Sequence, residues 1–351
     1  MKTSTIKIGK RSVGKNCLPL IIAEIGINHS GSLEKAIKIA DEAITSGAEV
    51  IKHQTHILDD EYSYHAKRTF PGNSDKSIYE IIKKNSLSEE NEYKLMRYIK
   101  KRAGIFISTP FSRKAVDRLI KFNVPAIKIG SGECNNYPLV DYIAKFNKPI
   151  ILSTGMNSIE TIARSTKIIR KYKTKYCLLH CTNIYPTPPH LLKLGAMEEM
   201  MKKFKNISIG LSDHTQGIFI SLAAIALGAS IIEKHFTYSK KIKGPDISSS
   251  MDPKELEYLI KGAREIFLAR GGKKKPLKEE KKTMDFAFAS VVSTKNILKG
   301  EKFTKENIWV KRPSGGDFSS MDYFKLIGKK TKKNIKIGEQ IKKADLLLYE
   351  K

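Results

Sequence analysis

Two histidines, His214 and His235, are the side chains in this 351-residue sequence with the clearest potential for chemistry. Each stands at the end of a short apolar run, in SDH and in EKH. A pair of neutral imidazoles suits a borderline divalent ion and leaves coordination positions open for water and a substrate oxygen. Histidines at such places also serve as ordinary hydrogen-bonding or substrate contacts. The spacing alone therefore leaves a metal pair and a contact role open.

Lysines and short polar side chains stand at the ends of other apolar runs. They are Lys52, Thr109, Lys128, Ser131, Asn183 and Ser212. If these runs end at one place, two ammonium groups and several small donors meet there and neutralise a phosphate and a carboxylate together. The alternative is a buried charge network in which the lysines pair with Glu24 and Glu133. One pocket can hold both arrangements.

Glu24 is followed by the apolar residues Ile25 and Ile27. A dry pocket would shift its pKa and make it a general acid or base, and the alternative is a fixed counter-ion to a lysine. Tyr185 lies in the proline-stiffened loop Thr182–Pro189, which would either form one wall of the pocket or remain an exposed turn.

Two enzyme classes fit these residues. The first is a metal-assisted addition that uses an anionic substrate. The second is a Schiff-base aldolase whose amine is Lys52, Lys128 or Lys234. The histidine pair favours the first class.

The elements that must position these residues follow a strand–helix rhythm. Apolar runs occur at Leu20–Ile27, Val50–Thr55, Ile105–Pro110, Ala126–Ser131, Ile150–Gly155, Tyr176–Thr182, Ile207–Asp213 and Ser230–Thr237. Amphipathic segments lie between them, at Ser32–Ser46, Ser112–Phe122, Ser158–Tyr172, Gly217–Leu227 and Pro253–Arg270. Eight such units predict an α/β fold, a closed (β/α)8 TIM barrel, in which the polar strand ends converge on one mouth. A dinucleotide-binding fold is disfavoured because no GxGxxG opens the first unit.

The residues after the last barrel helix form a different kind of sequence. Gly271–Lys282 has two glycines and no apolar periodicity, as is typical of a linker. Short strands are predicted beyond it, at Phe286–Val292 and Ile308–Val310. The predicted domains are a barrel at 1–270, a linker at 271–284 and a small β-rich domain at 285–351.

Composition excludes several classes of protein. The chain has 64 Lys+Arg against 36 Asp+Glu, a formal net charge of +28, and 40% hydrophobic residues. Its lysines are spread along the whole chain rather than gathered with Arg and aromatic residues on one stripe, which argues against nucleic-acid binding. The early apolar run Leu18–Ala23 is too short for a signal peptide or a membrane span. Four cysteines without disulfide spacing predict a reducing, cytoplasmic location.

Long motifs at these strand ends resemble those of a known family. They are AEIGINHSGS (Ala23–Ser32), EVIKHQTH (Glu49–His56), FISTPFS (Phe106–Ser112), KIGSGECNNYPL (Lys128–Leu139), ILSTGMNS (Ile151–Ser158), LHCTNIYPTP (Leu179–Pro188), GLSDHT (Gly210–Thr215) and GPDISSSMDP (Gly244–Pro253). Together they resemble the bacterial sialic acid synthases. DFAFASVV (Asp285–Val292) and WVKRPSGGDF (Trp309–Phe318) are similar to the C-terminal antifreeze-like (SAF) domain of that family.

The resemblance implies condensation of phosphoenolpyruvate with the open-chain aldehyde of N-acetylmannosamine, giving N-acetylneuraminate and phosphate. It implies a divalent metal, Mn²⁺ first and Mg²⁺ or Co²⁺ as alternatives, on His214 and His235. The residues that it implies for phosphoenolpyruvate are Lys52, Thr109, Lys128, Ser131, Asn183 and Ser212. Those that it implies for the amino sugar are Glu24, Gln54, Tyr185 and Asp246, and Glu133 is counted with the substrate-binding set. The catalytic residues that it implies are Glu24, Lys52 and Lys128.

The resemblance also implies a homodimer in which Arg312 of one subunit completes the site of the other. Alternatives remain within the same reaction class, because related synthases make legionaminic or pseudaminic acid from other hexoses. An alternative of another class is a basic protein that binds polysaccharide or nucleic acid and carries a degenerate barrel.

Overall fold

The structure, a computed structural model, describes residues 5–70, 75–242, 244 and 246–347. It divides into two compact units, one that ends at Gly271 and one that begins at Gly272. The ends of the two predicted domains, residues 1–4 and 348–351, lie outside the described residues, as does Pro245 of the motif GPDISSSMDP.

The first unit is a closed parallel barrel preceded by a hairpin. The hairpin pairs β1 (Ile6–Ile8) with β2 (Arg11–Val13) in antiparallel register. The strands that follow are β3 (Leu20–Gly26), β4 (Val50–Thr55), β5 (Ile105–Pro110), β6 (Ile127–Ile129), β7 (Ile150–Ser153), β8 (Tyr176–Cys181), β9 (Ser208–Asp213) and β10 (Ile231–His235). In the described part of the chain these strands close in sequence order, with β10 paired to β3. The predicted (β/α)8 barrel is confirmed, and every predicted run contains one of its strands.

Alternation along each strand separates two apolar cores. Leu20 and Ile22 of β3 pack inside the barrel, whereas Ile21, Ala23 and Ile25 pack between the strands and the helices. The inner core consists of Ile6, Ile8, Val13, Leu20, Ile22, Val50, Ile107, Ala126, Ile151, Cys177, Leu179 and Ile231. Because the hairpin isoleucines pack against residues that begin the strands, they fill the amino end of the barrel. Room for a ligand is left at the carboxyl end.

Helices form the outer layer of the barrel. They are α1 (Leu33–Thr45), α2 (Leu58–Glu61), α3 (Ile78–Asn85), α4 (Glu89–Lys101), α5 (Arg113–Lys121), α6 (Tyr137–Ala144), α7 (Ile159–Lys171), α8 (Pro189–Leu192), α9 (Leu194–Lys203), α10 (Phe219–Leu227) and α11 (Pro253–Ala269). Short 3₁₀ turns lie at Tyr64–Arg68, Ser131–Glu133 and Ile247–Ser249. The predicted serine caps are present, since Ser32, Ser112 and Ser158 each accept a hydrogen bond from a backbone N–H of the first helical turn. Each such cap stabilises its helix by about 1 kcal/mol.

The second unit has a small core around a two-stranded antiparallel sheet. Its elements are α12 (Lys281–Ala287), β11 (Ser290–Ser293), β12 (Ile308–Lys311) and α13 (Tyr323–Leu326), with 3₁₀ turns at Lys278–Glu280, Ser320–Asp322 and Lys343–Asp345. Its core consists of Val291, Ile297, Phe303, Ile308, Tyr323, Leu326, Ile335, Ile341 and Leu346. None of the helices in the ranges given above is long and apolar enough to cross a membrane.

The strand predicted at Phe286–Val292 is wrong in its first half. Phe286 lies in α12, and only the part from Ser290 onward is a strand. An exposed ion pair between Lys281 and Asp285, one turn apart, stabilises this helix by about 0.2–0.5 kcal/mol. The same helix begins inside the segment that the sequence predicts as an unstructured linker.

Candidate active site

The carboxyl ends of the barrel strands surround a cavity of about 140 Å³. Alternation points every second residue of a strand into the barrel, so the last inward residue of each strand reaches this space. Most of the predicted site residues line it, namely Glu24, Lys52, Gln54, Thr109, Lys128, Ser131, Asn183, Tyr185, Ser212, His214 and His235. The described lining also includes residues that sequence analysis did not select, namely Phe111, Gly130, Gly132, Ser153, Cys181 and Glu233.

The two lysines of the cavity are held in a buried charge network. Lys52 Nζ lies 2.7 Å from Glu24 Oε2 and donates a hydrogen bond to Thr109 Oγ1 at 3.1 Å. Glu233 Oε1 lies 3.8 Å from Lys52 Nζ and 3.6 Å from Lys128 Nζ, so both ammonium groups share one carboxylate. The expected pairing of lysines with carboxylates is therefore present in the same cavity as the predicted anion-binding residues.

Glu233, rather than the predicted Glu133, is the second carboxylate of this network. Glu233 and His235 are two residues apart on β10 and therefore point to the same side of the sheet. This two-residue alternation was the sequence signal from which Glu233 could have been predicted. Glu133 ends the 3₁₀ turn after β6, where strand alternation no longer applies, and its carboxylate accepts a hydrogen bond from Asn136 Nδ2 at 2.5 Å. Burial raises the pKa of Glu133.

The pKa values of the network follow from burial set against charge. Burial alone would lower the pKa of Lys52, but the carboxylates of Glu233 and Glu24 outweigh it and raise that pKa. Burial lowers the pKa of Lys128 in spite of nearby Glu233. Burial opposes ionisation of Glu233, yet Lys128 and Lys52 hold its pKa below the ordinary value. The cavity therefore combines ionised Glu233 with Lys52 as the more persistent cation.

Small donors lie on the β6–β8 side of the cavity. Ser131 Oγ accepts a hydrogen bond from the backbone N–H of Gly155 at 3.0 Å, and Lys128 Nζ donates to Ser153 Oγ at 2.7 Å. Gly155 is required by close approach, because a Cβ at this position would lie 1.9 Å from Asn183 Oδ1. Ser131 and Asn183 are thus packed against one backbone segment and both face the cavity.

The histidines are brought together at the ends of β9 and β10. The ring centroids of His214 and His235 are 5.6 Å apart, and the ring of Tyr185 lies 4.1 Å from that of His214. His214 Nδ1 donates a hydrogen bond to the carbonyl of Thr182 at 2.9 Å, which leaves its Nε2 with a free lone pair. Burial lowers the pKa of each imidazole to about 4, so both are neutral at pH 7.

A carboxyl group accompanies this pair. Asp246 Oδ2 lies 3.6 Å from His235 Nδ1, a buried nitrogen without a hydrogen-bond partner among the described residues. Burial raises the pKa of Asp246 to about 6. Within residues 5–70, 75–242, 244 and 246–347, no group of three or more His, Cys, Asp or Glu side chains is arranged to hold a metal ion by itself. A cation held here by the two imidazoles would complete its shell with water or substrate oxygen.

Comparison with known proteins identifies the family. Residues 39–275 match the NeuB family, and residues 288–347 match the SAF domain. The chain belongs to the NeuB family. This confirms the resemblance drawn from the strand-end motifs and from the C-terminal segment.

Relatives of this NeuB-family chain include synthases of several related sugars. It is 41% identical to the N,N′-diacetyllegionaminic acid synthase of Campylobacter jejuni, over 92% of this chain and 98% of that protein. It is 34% identical to the human N-acetylneuraminate-9-phosphate synthase, over 91% and 90%. The solved N-acetylneuraminic acid (sialic acid) synthetase of Leptospira borgpetersenii, in complex with citrate, is 32% identical with a TM-score of 0.72, over 80% of this chain and 95% of that one.

Lys234, considered above as a Schiff-base amine, does not line the cavity of this NeuB-family barrel. Lys234 alternates to the outer side of β10, where its Nζ donates to Asp213 Oδ2 at 3.1 Å in a buried ion pair. This position removes Lys234 as a Schiff-base candidate. Arg312 belongs to the second unit, follows β12 and is exposed.

Proposed function

We propose that this chain condenses phosphoenolpyruvate with the open-chain aldehyde of an N-acetylated hexosamine to give a sialic-acid-type sugar acid and phosphate. The single observation that carries the proposal is the shared cavity, which two buried lysines and two neutral imidazoles line together. In the reaction, C3 of phosphoenolpyruvate forms a bond to the aldehyde carbon, water adds at C2, and the C2–O bond breaks to release phosphate. N-acetylmannosamine is the first candidate sugar, and the product is then N-acetylneuraminate.

The anion is assigned to the side of the cavity that carries Lys52 and Lys128. Thr109, Ser131, Asn183 and Ser212 line the same cavity and supply short hydrogen-bonding groups. Charge-assisted hydrogen bonds from the two ammonium groups stabilise the phosphate as it departs. Glu24 lies against Lys52 and next to Gln54, where it can orient the attacking water or accept its proton.

A divalent cation is assigned to His214 and His235. The fit rests on the orphaned Nδ1 of His235 and on the free Nε2 of His214, both on imidazoles that are neutral at pH 7. When bound, the ion supplies Lewis-acid polarisation of the sugar aldehyde. Two nitrogen ligands with remaining positions for oxygen suit Mn²⁺, and Mg²⁺ or Co²⁺ are alternatives.

The sugar is assigned to Glu24, Gln54, Tyr185 and Asp246. Arg312 from the second unit of a partner copy would complete this subsite, since a guanidinium presents a fork of donors to an N-acetyl carbonyl. The protein would then act as a homodimer with composite sites. We place it in the cytoplasm, in keeping with its four unpaired cysteines, all of which lie in the described residues.

A second candidate sugar is the diacetylated hexosamine that corresponds to N,N′-diacetyllegionaminic acid. It is favoured by the 41% identity to a synthase of that acid. The two candidates carry different numbers of N-acetyl groups, so the mass of the product distinguishes them.

The deciding experiment is phosphate release by the purified protein with phosphoenolpyruvate, Mn²⁺ and each hexosamine, followed by the mass of the product. The proposal requires phosphate release that depends on both a hexosamine and a divalent ion. Phosphate release in the absence of any hexosamine would overturn the proposal. A covalent adduct trapped by borohydride on Lys52 or Lys128 would overturn it in favour of a Schiff-base aldolase. Salt-sensitive binding to DNA without any phosphate release would favour a binding protein.

A further inference from the structure

A line of polar side chains leads from helix α2 to the cavity. Glu61 Oε2 lies 2.9 Å from Nδ1 of His56, and His56 Nε2 lies 3.2 Å from Oε1 of Gln54. Gln54 Nε2 in turn donates to Glu24 Oε1 at 3.0 Å. Gln54 and Glu24 line the cavity, whereas His56 and Glu61 stand behind them and have no role assigned so far.

The chemistry of this line fixes the direction of every hydrogen bond. The Glu24 carboxylate accepts from Lys52 and from the Gln54 amide nitrogen, so the amide oxygen of Gln54 faces His56. His56 Nε2 must then carry a proton to donate to that oxygen. Nδ1 faces both oxygens of the Glu61 carboxylate, at 3.1 Å and 2.9 Å, and donates to it when that carboxylate is ionised. An imidazolium paired with a carboxylate satisfies every one of these contacts.

This arrangement is buried, because the side chains of His56 and Glu61 are only 3% and 7% exposed. Besides His56, the titratable groups that act on the Glu61 carboxylate are the Tyr62 hydroxyl, which hydrogen-bonds to it, and the Glu133 carboxylate. The ring of Phe111 stacks on the imidazole at a centroid distance of 4.4 Å and an interplanar angle of 8°. The titratable group facing His56 from the β3–α1 loop is His29, and burial lowers its pKa to about 3, so it stays neutral.

We propose that the Glu61–His56 ion pair is a positioning device that holds the Gln54 amide with its NH₂ toward Glu24, and so sets the sugar-binding side of the cavity. This inference deepens the proposed function and rests on it for the identity of the ligand. Loss of the charge on Glu61 leaves a neutral imidazole whose Nε2 accepts a hydrogen bond. The Gln54 amide then rotates and presents its oxygen to the Glu24 carboxylate, which disturbs both sugar contacts.

The kinetic test uses His56→Phe, which keeps a ring on Phe111 and removes both hydrogen bonds, and Glu61→Gln, which removes only the charge. Each is expected to raise KM for the hexosamine at least tenfold and to change KM for phosphoenolpyruvate less than twofold. Because His56 acts through Gln54, adding His56→Phe to a Gln54→Ala protein is expected to change the hexosamine KM less than twofold. Multiplicative effects in the double variant, or equal shifts in both KM values, would overturn the proposal.

The matched control is His53→Phe, which lies on β4 three residues before His56 and on the outer side of the barrel. His53 pairs with Glu92 at 3.3 Å and is equally buried. A purely structural loss would appear in this variant as well as in His56→Phe, as a lower melting temperature without a change in hexosamine KM. If His53→Phe raised the hexosamine KM as much as His56→Phe does, a positioning role for His56 would be refuted.

A spectroscopic measurement tests this inference independently of the proposed function. In protein labelled with ¹⁵N-histidine, both ring nitrogens of His56 are expected to carry protons at pH 7, and Glu61→Gln is expected to leave only one protonated. A neutral His56 in the unmodified protein would overturn the inference. If no hexosamine supports phosphate release while His56 is doubly protonated, the proposed function fails and the positioning network stands.

Discussion

Replacing Gly155 with Ala tests whether Ser131 and Asn183 form part of the anion site. The added methyl group would lie 1.9 Å from Asn183 Oδ1 and 3.0 Å from Ser131 Oγ, so Asn183 must rotate away and Ser131 must shift. The backbone of Gly155 has no positive φ, so the substitution acts through these side chains and not through backbone strain. A lost hydrogen bond to a charged group costs about 1.5–3 kcal/mol. One such loss raises KM for phosphoenolpyruvate by about 10- to 150-fold.

The assay measures initial rates of phosphate release while each substrate is varied at saturating levels of the other. We expect the rise to be confined to phosphoenolpyruvate, with less than a threefold change for the hexosamine. Gly195→Ala is the matched control, because an added Cβ meets nothing within 4 Å at that position in α9. If Gly155→Ala left KM for phosphoenolpyruvate unchanged, or raised only the hexosamine KM, the assignment of the anion to this side would be refuted.

Three further predictions follow from the same structure. Acid should destabilise the barrel through His29, whose pKa is about 3 in the folded protein and 6.5 in the unfolded chain. Between pH 7 and pH 4 the unfolded chain therefore binds a proton at His29 that the folded protein does not, and the free energy of unfolding falls by about 3 kcal/mol. His29→Gln should lack that part of the loss in urea titrations followed by circular dichroism, and an identical pH dependence would contradict it. His214→Ala and His235→Ala should each abolish Mn²⁺ binding in calorimetry and Mn²⁺-dependent turnover while the melting transition persists, whereas unchanged Mn²⁺ affinity would argue against the ligand assignment. Arg312→Ala should raise the hexosamine KM by an amount worth about 1.5–3 kcal/mol. Mixing Arg312→Ala subunits with Lys52→Met subunits should restore part of the activity, and no restoration would show that the sites are not shared between subunits.

Much of the barrel and its mouth was predictable from one periodicity. The apolar runs end in polar residues, and parallel strands in a barrel deliver those ends to one place. The same alternation also contains information that sequence analysis left unused. It places Glu233 beside His235 inside the barrel and sends Lys234 outward to Asp213. A strict application of the two-residue period would have added Glu233 to the predicted site and removed Lys234 from the Schiff-base candidates.

Other parts of the site depend on turns, where no period applies. Glu133 comes directly after Ser131, but the 3₁₀ turn between them directs the glutamate to Asn136 instead of to the lysines. The pairing of His56 with Glu61 spans the start of α2, whose N-cap Ile57 makes no side-chain cap hydrogen bond, so no capping motif marks this turn in the sequence. At Lys281–Ala287 a helix replaces part of a predicted strand, because the short alternating pattern was weak evidence for a strand.

The charge balance of the cavity gives a physical reason for a cation at the histidines. Two lysines stand against the carboxylates of Glu24 and Glu233, so basic and acidic groups are equal in number before a ligand enters. The proposed substrate, phosphoenolpyruvate, would bring a phosphate and a carboxylate, and a unit negative charge placed 4 Å from Glu233 would be opposed by about 4 kcal/mol at an effective dielectric constant of 20. Protonation of Glu233 does not relieve this, because the lysines hold its pKa down. The neutral imidazoles add no charge of their own at pH 7. A divalent ion bound between them would supply the missing positive charge on the side where the aldehyde oxygen also develops negative charge, so one ion would serve both substrates.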